Sequence, residues 1–102
     1  MQKEEILGNW TYYYRCLKIL EFNGSFTKKD ICSKTKDTNN NKNLLELIKF
    51  LNENDFLNID DERIPHIYFL QKEKLAKFLR ESLFFKNFGL VVEITKPSTY
   101  SY

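Results

Sequence analysis

Apolar residues along this chain recur with a helical period in some stretches and cluster in short β-leaning runs in others. Between Trp10 and Phe22 they fall at Tyr13, Cys16, Leu17 and Leu20, the i, i+3, i+4, i+7 spacing of one helical face. This spacing predicts a first helix. Trp10, Tyr12, Tyr14, Ile19 and Phe22 lie off that stripe, so the helix is apolar around more of its circumference than one packing contact uses. A second surface is expected to cover it. Asn23-Gly24 stops the helix, because both residue types tolerate the left-handed conformation of a helix end. Thr27 followed by Lys28-Lys29-Asp30 has the form of a capping box and predicts a short helix over 28–34, buried through Ile31 and Cys32.

The stretch Thr35-Lys36-Asp37-Thr38-Asn39-Asn40-Asn41 is rich in side chains that bond their own backbone, and reads as a turn ending in a new N-cap. The cleanest periodicity follows. Leu44, Leu47, Ile48 and Leu51 form one apolar stripe, while Asn39, Lys42, Asn43, Glu46 and Lys49 project the other way, and Asn52 to Asp55 ends this third helix. Phe56 to Ile59 and His66 to Leu70 read as two strands, joined by a charged tip over 60–65 that contains Pro65. From Lys72 a fourth helix places Leu75, Phe78, Leu79, Ser82 and Phe85 on one face, leaving Leu83 and Phe84 outside it. A brief strand is expected at Val91 to Thr95, ahead of Pro97 and a fraying Ser/Tyr-rich end. There is no internal repeat.

Composition narrows the function classes. The chain has 102 residues, enough for one core and not two, with 42% hydrophobic and 29% charged residues and a formal net charge of +2. That balance excludes a disordered chain or an acidic tail. Three Gly and two Pro are too few turn residues for a many-stranded sandwich, so helix is expected to dominate. No apolar run approaches the roughly 20 residues of a membrane span, and the mixed-charge start Met1-Gln2-Lys3-Glu4-Glu5 is unlike a secretory signal. A cytoplasmic, intracellular protein is expected. Cys16 and Cys32, with His66 as the single histidine, are too few ligands for structural zinc, so no metal and no cofactor is expected. The two cysteines read as reduced, buried thiols, with a bridge between them only in an oxidising or hyperthermophilic setting. One histidine also removes most nucleophile and base pairings, so the chain is expected not to be an enzyme and no catalytic residue is assigned.

The predicted order α-α-α-β-β-α, mainly α with a small β-hairpin, resembles a winged helix-turn-helix domain. Three strings carry the resemblance. They are Tyr14 to Thr27, a first helix closed by a small turn and a capping Thr; Leu44 to Leu57, similar to a recognition helix leading into a wing; and Asp60-Asp61-Glu62-Arg63 with Tyr68 to Lys74, similar to a wing tip and the strand-to-helix junction. The likeness is nearest to MarR-like and PadR-like regulators and to small winged-helix proteins of archaeal viruses and plasmids. It covers about Trp10 to Phe85 and implies a domain over 10–86, with an N-terminal extension over 1–9 and a partly flexible C-terminal extension over 87–102.

The resemblance implies a transcription regulator that binds double-stranded DNA with the start of its third helix in the major groove. The residues expected to do so are Lys28, Lys36, Thr38, Asn39, Asn40, Lys42 and Asn43; Asn pairs bidentately with adenine, and Lys reaches guanine or phosphate. From Lys28 to Asn43 five Lys face two Asp, a local surplus of three positive charges that exceeds the whole-chain value. At the tip, Asp60, Asp61 and Glu62 outweigh Arg63 and would repel phosphate. The family pattern implies that Asp61 orients Arg63 toward a minor groove, whereas an acidic tip equally suits a protein partner.

If Trp10, Tyr14, Leu83, Phe84 and Phe85 were all exposed, they would form a larger apolar patch than a monomer tolerates. A homodimer is therefore expected, presenting two third helices to a palindromic site; the alternative is that the chain's own C-terminal segment covers them. A different function class stays open: an interaction adaptor of the same fold that grips protein rather than DNA.

Overall fold

The computed structural model describes residues 1–89. Its elements run α1 (Lys3–Leu7), α2 (Trp10–Ile19), β1 (Ser25–Phe26), α3 (Lys28–Thr35), α4 (Lys42–Glu53), β2 (Leu57–Asp60), β3 (Ile67–Leu70), α5 (Lys72–Leu79) and α6 (Leu83–Phe88). The three strands form one antiparallel sheet in the order β1-β3-β2. The chain is an α+β domain, as the residue pattern implied, and the expected strand at Val91 to Thr95 lies outside the described residues.

Capping chemistry sets most boundaries. Asn9 Oδ1 accepts from the Thr11 amide at 2.9 Å and starts α2. Thr27 and Asp30 close the expected capping box: Asp30 N donates to Thr27 Oγ1 at 3.2 Å, and Thr27 N donates to Asp30 Oδ2 at 2.9 Å. Asn41 caps α4, its Oδ1 accepting from the Leu44 amide at 3.0 Å.

The core gathers one face from each layer. Tyr13, Cys16, Ile19 and Leu20 of the second helical segment meet Ile31 of α3, Leu44, Leu47 and Leu51 of α4, Leu57 of β2, and Leu75 and Leu79 of α5, all fully buried. Ile19, read as off the stripe, belongs to it. The stripe widens because α2 is packed by α1, α3 and α4 together.

Three elements depart from the expected order. Residues 1–9, read as an N-terminal extension, contain α1, whose Ile6 is fully buried in the core. The sheet has a third strand, β1, pairing Ser25 with Phe69 and Phe26 with Tyr68. Two residues are too few to alternate visibly in sequence, yet Phe26 is held by Phe22, whose ring stacks on it at 4.2 Å between centroids. Finally, the expected fourth helix is two. The first ends at Leu79 with Arg80 as its cap, and Ser82 caps the second, accepting from the Phe84 amide at 3.1 Å while donating to the Leu7 carbonyl of α1 at 2.8 Å. Leu83 and Phe84 belong to α6, a separate helix whose Phe84 packs on Trp10 and Tyr13 of α2 while Leu83 is exposed.

Candidate nucleic-acid interface

The site is built on the turn between α3 and α4. Lys36 takes the left-handed conformation (φ 60°) as the cap of α3 and lets the chain leave the helix sharply. Asp37 then turns inward, its amide donating to the Cys32 carbonyl at 3.0 Å. Beyond it, Thr38, Asn39 and Asn40 cross the surface, and α4 begins at Lys42.

Lys36, Thr38, Asn39, Asn40, Lys42 and Asn43 are all exposed, so the structure gathers six of the expected residues along one continuous stretch of surface. Lys28 stands apart. It is half-buried and lines an open groove of about 430 Å³ with Thr27, Lys29, Pro65, His66 and Tyr68, between the start of α3 and the segment that leads from the hairpin tip into β3. Lys29 and His66 share this groove with Lys28, although they lie 37 residues apart in the chain, so the residue pattern does not bring them together.

Electrostatics separate the charges that are spent from those that are free. Arg15 of α2 holds Asp37 in a two-pronged bond, Nε to Oδ2 at 2.9 Å and Nη2 to Oδ1 at 3.0 Å, with both side chains largely buried. The Arg15 guanidinium holds the Asp37 carboxyl below the usual carboxylate range. Lys34 is paired with Glu21 at 3.0 Å. Among the described residues no ion pair engages Lys28, Lys29, Lys36 or Lys42. The basic surplus seen in sequence therefore persists at the surface, opposed there by Asp30 alone.

Further along α4 the outer face changes character. Glu46, Lys49, Asn52 and Glu53 are exposed, and Glu46, Lys49 and Glu53 border a second cavity of about 330 Å³ with Met1 and Glu5, the latter on α1. Only the first turn of α4 is basic. At the hairpin tip Arg63 is exposed and its Nε lies 3.3 Å from Asp60 Oδ2, while Asp60 Oδ1 accepts from the Glu62 amide at 3.1 Å. Asp60, not Asp61, orients the arginine, because three residues of turn bring Arg63 back over the end of β2.

The aromatic residues assigned to dimerisation do not form one exposed patch. Phe84 packs edge-on against Trp10 at 5.4 Å and on Tyr13 at 5.3 Å, and Phe85 is half-buried against the core. Tyr14 is half-buried, whereas Trp10, Leu83 and Phe88 remain exposed. The chain thus covers part of this surface itself through α6. Both thiols are free and buried, and burial pushes Cys16 up to about 12, which keeps it protonated. Among the described residues no helix is long and apolar enough to cross a membrane.

Compared with known proteins, the chain matches no family model, no curated protein and no solved structure.

Proposed function

We propose that this chain is a sequence-specific double-stranded DNA-binding protein of the winged helix-turn-helix type, a transcription regulator that acts as a homodimer with the start of α4 in the major groove. One observation carries the reading: the turn and first turn of α4 expose Lys36, Thr38, Asn39, Asn40, Lys42 and Asn43 together, while the acid among them, Asp37, is turned inward and neutralised by Arg15. Carboxamides reach base edges and lysines reach phosphate or guanine, so the free groups match what duplex readout requires. The element order is in keeping with this, since α2, α3 and α4 are followed by a β2–β3 hairpin that projects Arg63. Pairing of two copies draws support from the apolar area left at Trp10, Leu83 and Phe88, although it is smaller than the sequence suggested.

A second reading, a protein-binding adaptor of the same fold, is favoured by a different observation. The outer face of α4 is net acidic beyond its first turn, with Glu46 and Glu53 against Lys49, and the hairpin tip carries Asp60, Asp61 and Glu62 against Arg63. Retention on a random-sequence duplex, measured as salt is raised, separates the two. A regulator is retained at low salt and released steeply, because each neutralised phosphate gives back counterions; an adaptor shows no retention even at low salt. A solution mass taken on the same sample gives twice the chain mass for the proposed dimer.

A further inference from the structure

Arg15 is a charged residue in the middle of α2, with its side chain only 8% exposed, and no reading of the sequence gave it a role. Its fork grips Asp37, whose side chain is 10% exposed. Asp37 Oδ1 also accepts from Asn41 Nδ2 at 3.3 Å, and Asn41 Oδ1 accepts from the Leu44 amide at 3.0 Å. The bonds form one chain, from α2 through the turn to the first helical amides of α4. Both ends of the turn are therefore tied to a single carboxylate, and the span between them, 38–40, carries only exposed side chains. The same chain sorts the asparagines. Asn41 has both ends of its carboxamide in use, whereas among the described residues no protein group bonds the side chains of Asn39, Asn40 or Asn43.

A buried ion pair is a poor way to gain stability, since desolvation of both charges offsets their attraction and apolar replacements often do as well. What such a pair supplies is direction, because a planar fork meets a carboxylate in few geometries. We infer that Arg15 and Asp37 are positioning residues for base readout: they fix the turn so that the carboxamides of Asn39, Asn40 and Asn43 and the Lys42 ammonium meet a duplex in one register. This rests on the DNA-binding reading above. Neither residue touches DNA; both act through Asn41 and the backbone between them.

The test compares the wild-type chain with Asp37→Asn, which keeps the shape and removes the charge, and with Arg15→Met/Asp37→Leu, which replaces the buried pair by an apolar one and keeps the domain folded. Three quantities are read. They are the affinity ratio between a duplex selected by the wild type from a random pool and a scrambled duplex, the salt slope on the scrambled duplex, and exchange of the Leu44 amide relative to the Leu51 amide in the free proteins. The expected result is a ratio reduced by about tenfold in both variants, which corresponds to the loss of one bidentate base contact. The salt slope stays unchanged, and Leu44 exchanges faster relative to Leu51. A folded double variant that keeps the wild-type ratio overturns the inference, since the pair then contributes stability alone. If the wild type binds no duplex, the DNA reading fails separately. Leu44 exchange then decides the positioning role: acceleration in Asp37→Asn supports it, and a wild-type rate overturns it.

Discussion

The turn before α4 and the tip of the β2–β3 hairpin are both polar loops in which an aspartate meets an arginine, and they differ in where the pair sits. Asp37 is met from beneath by Arg15, through two bonds of 2.9 and 3.0 Å in a largely buried setting. Asp60 is met by Arg63 from three residues away, at 3.3 Å, with the arginine in water. The first pair binds the loop to another element and leaves its outer side free of negative charge. The second binds the loop only to itself and leaves Asp61 and Glu62 facing outward. The turn thus exposes lysines and carboxamides with its one acid buried, whereas the tip exposes two further acids beside its arginine, so both the placing of the paired aspartate and the neighbouring charges set the two surfaces apart.

Removing the carboxylate alone, by Asp37→Ala, should have the largest effect, because it strands a buried guanidinium: a loss of about 3–5 kcal/mol in denaturant unfolding. The corresponding change at the tip, Arg63→Ala, should be the smallest, at under ~0.5 kcal/mol, since an exposed pair contributes little. Equal losses at the two places would break the comparison.

Between these extremes lies the pH response. Pairing lowers the folded-state pKa of Asp37, so its stabilisation is complete above the ordinary carboxylate range and disappears as pH falls through the lower folded value. Acid titration of unfolding should show this loss in the wild type, and the Asp37→Asn chain should lack that component. Truncating the cap, Asn41→Ala, should cost about 1 kcal/mol and be visible as earlier thermal unfolding.

Elements that bury a regular stripe were legible in the sequence. The spacing of Leu44, Leu47 and Leu51 and the Thr27–Asp30 cap predicted α4 and α3 closely, since period and capping are local properties. β1 was not legible, because it exists only through pairing with Phe69 and Tyr68, more than forty residues away. The break between α5 and α6 was hidden for the same reason: Ser82 caps a new helix while bonded to Leu7 of α1, and Ser occurs in helix interiors often enough that the sequence alone does not mark it. Of the candidate site, the outward residues were legible as a polar, lysine-rich stretch, whereas the inward anchor was not. An arginine on an otherwise apolar helix carries no local sign that its partner lies 22 residues on.

The claim that most depends on this geometry is that the exposed side of residues 36–43 lies along a duplex. Measuring affinity for a random-sequence duplex against salt, for the wild type and for Lys42→Ala/Asn43→Ala, tests it directly. The variant should fold with a stability within ~0.5 kcal/mol of the wild type, bind more weakly and show a log–log salt slope shallower by about one. Wild-type affinity and slope in that variant would contradict the claim.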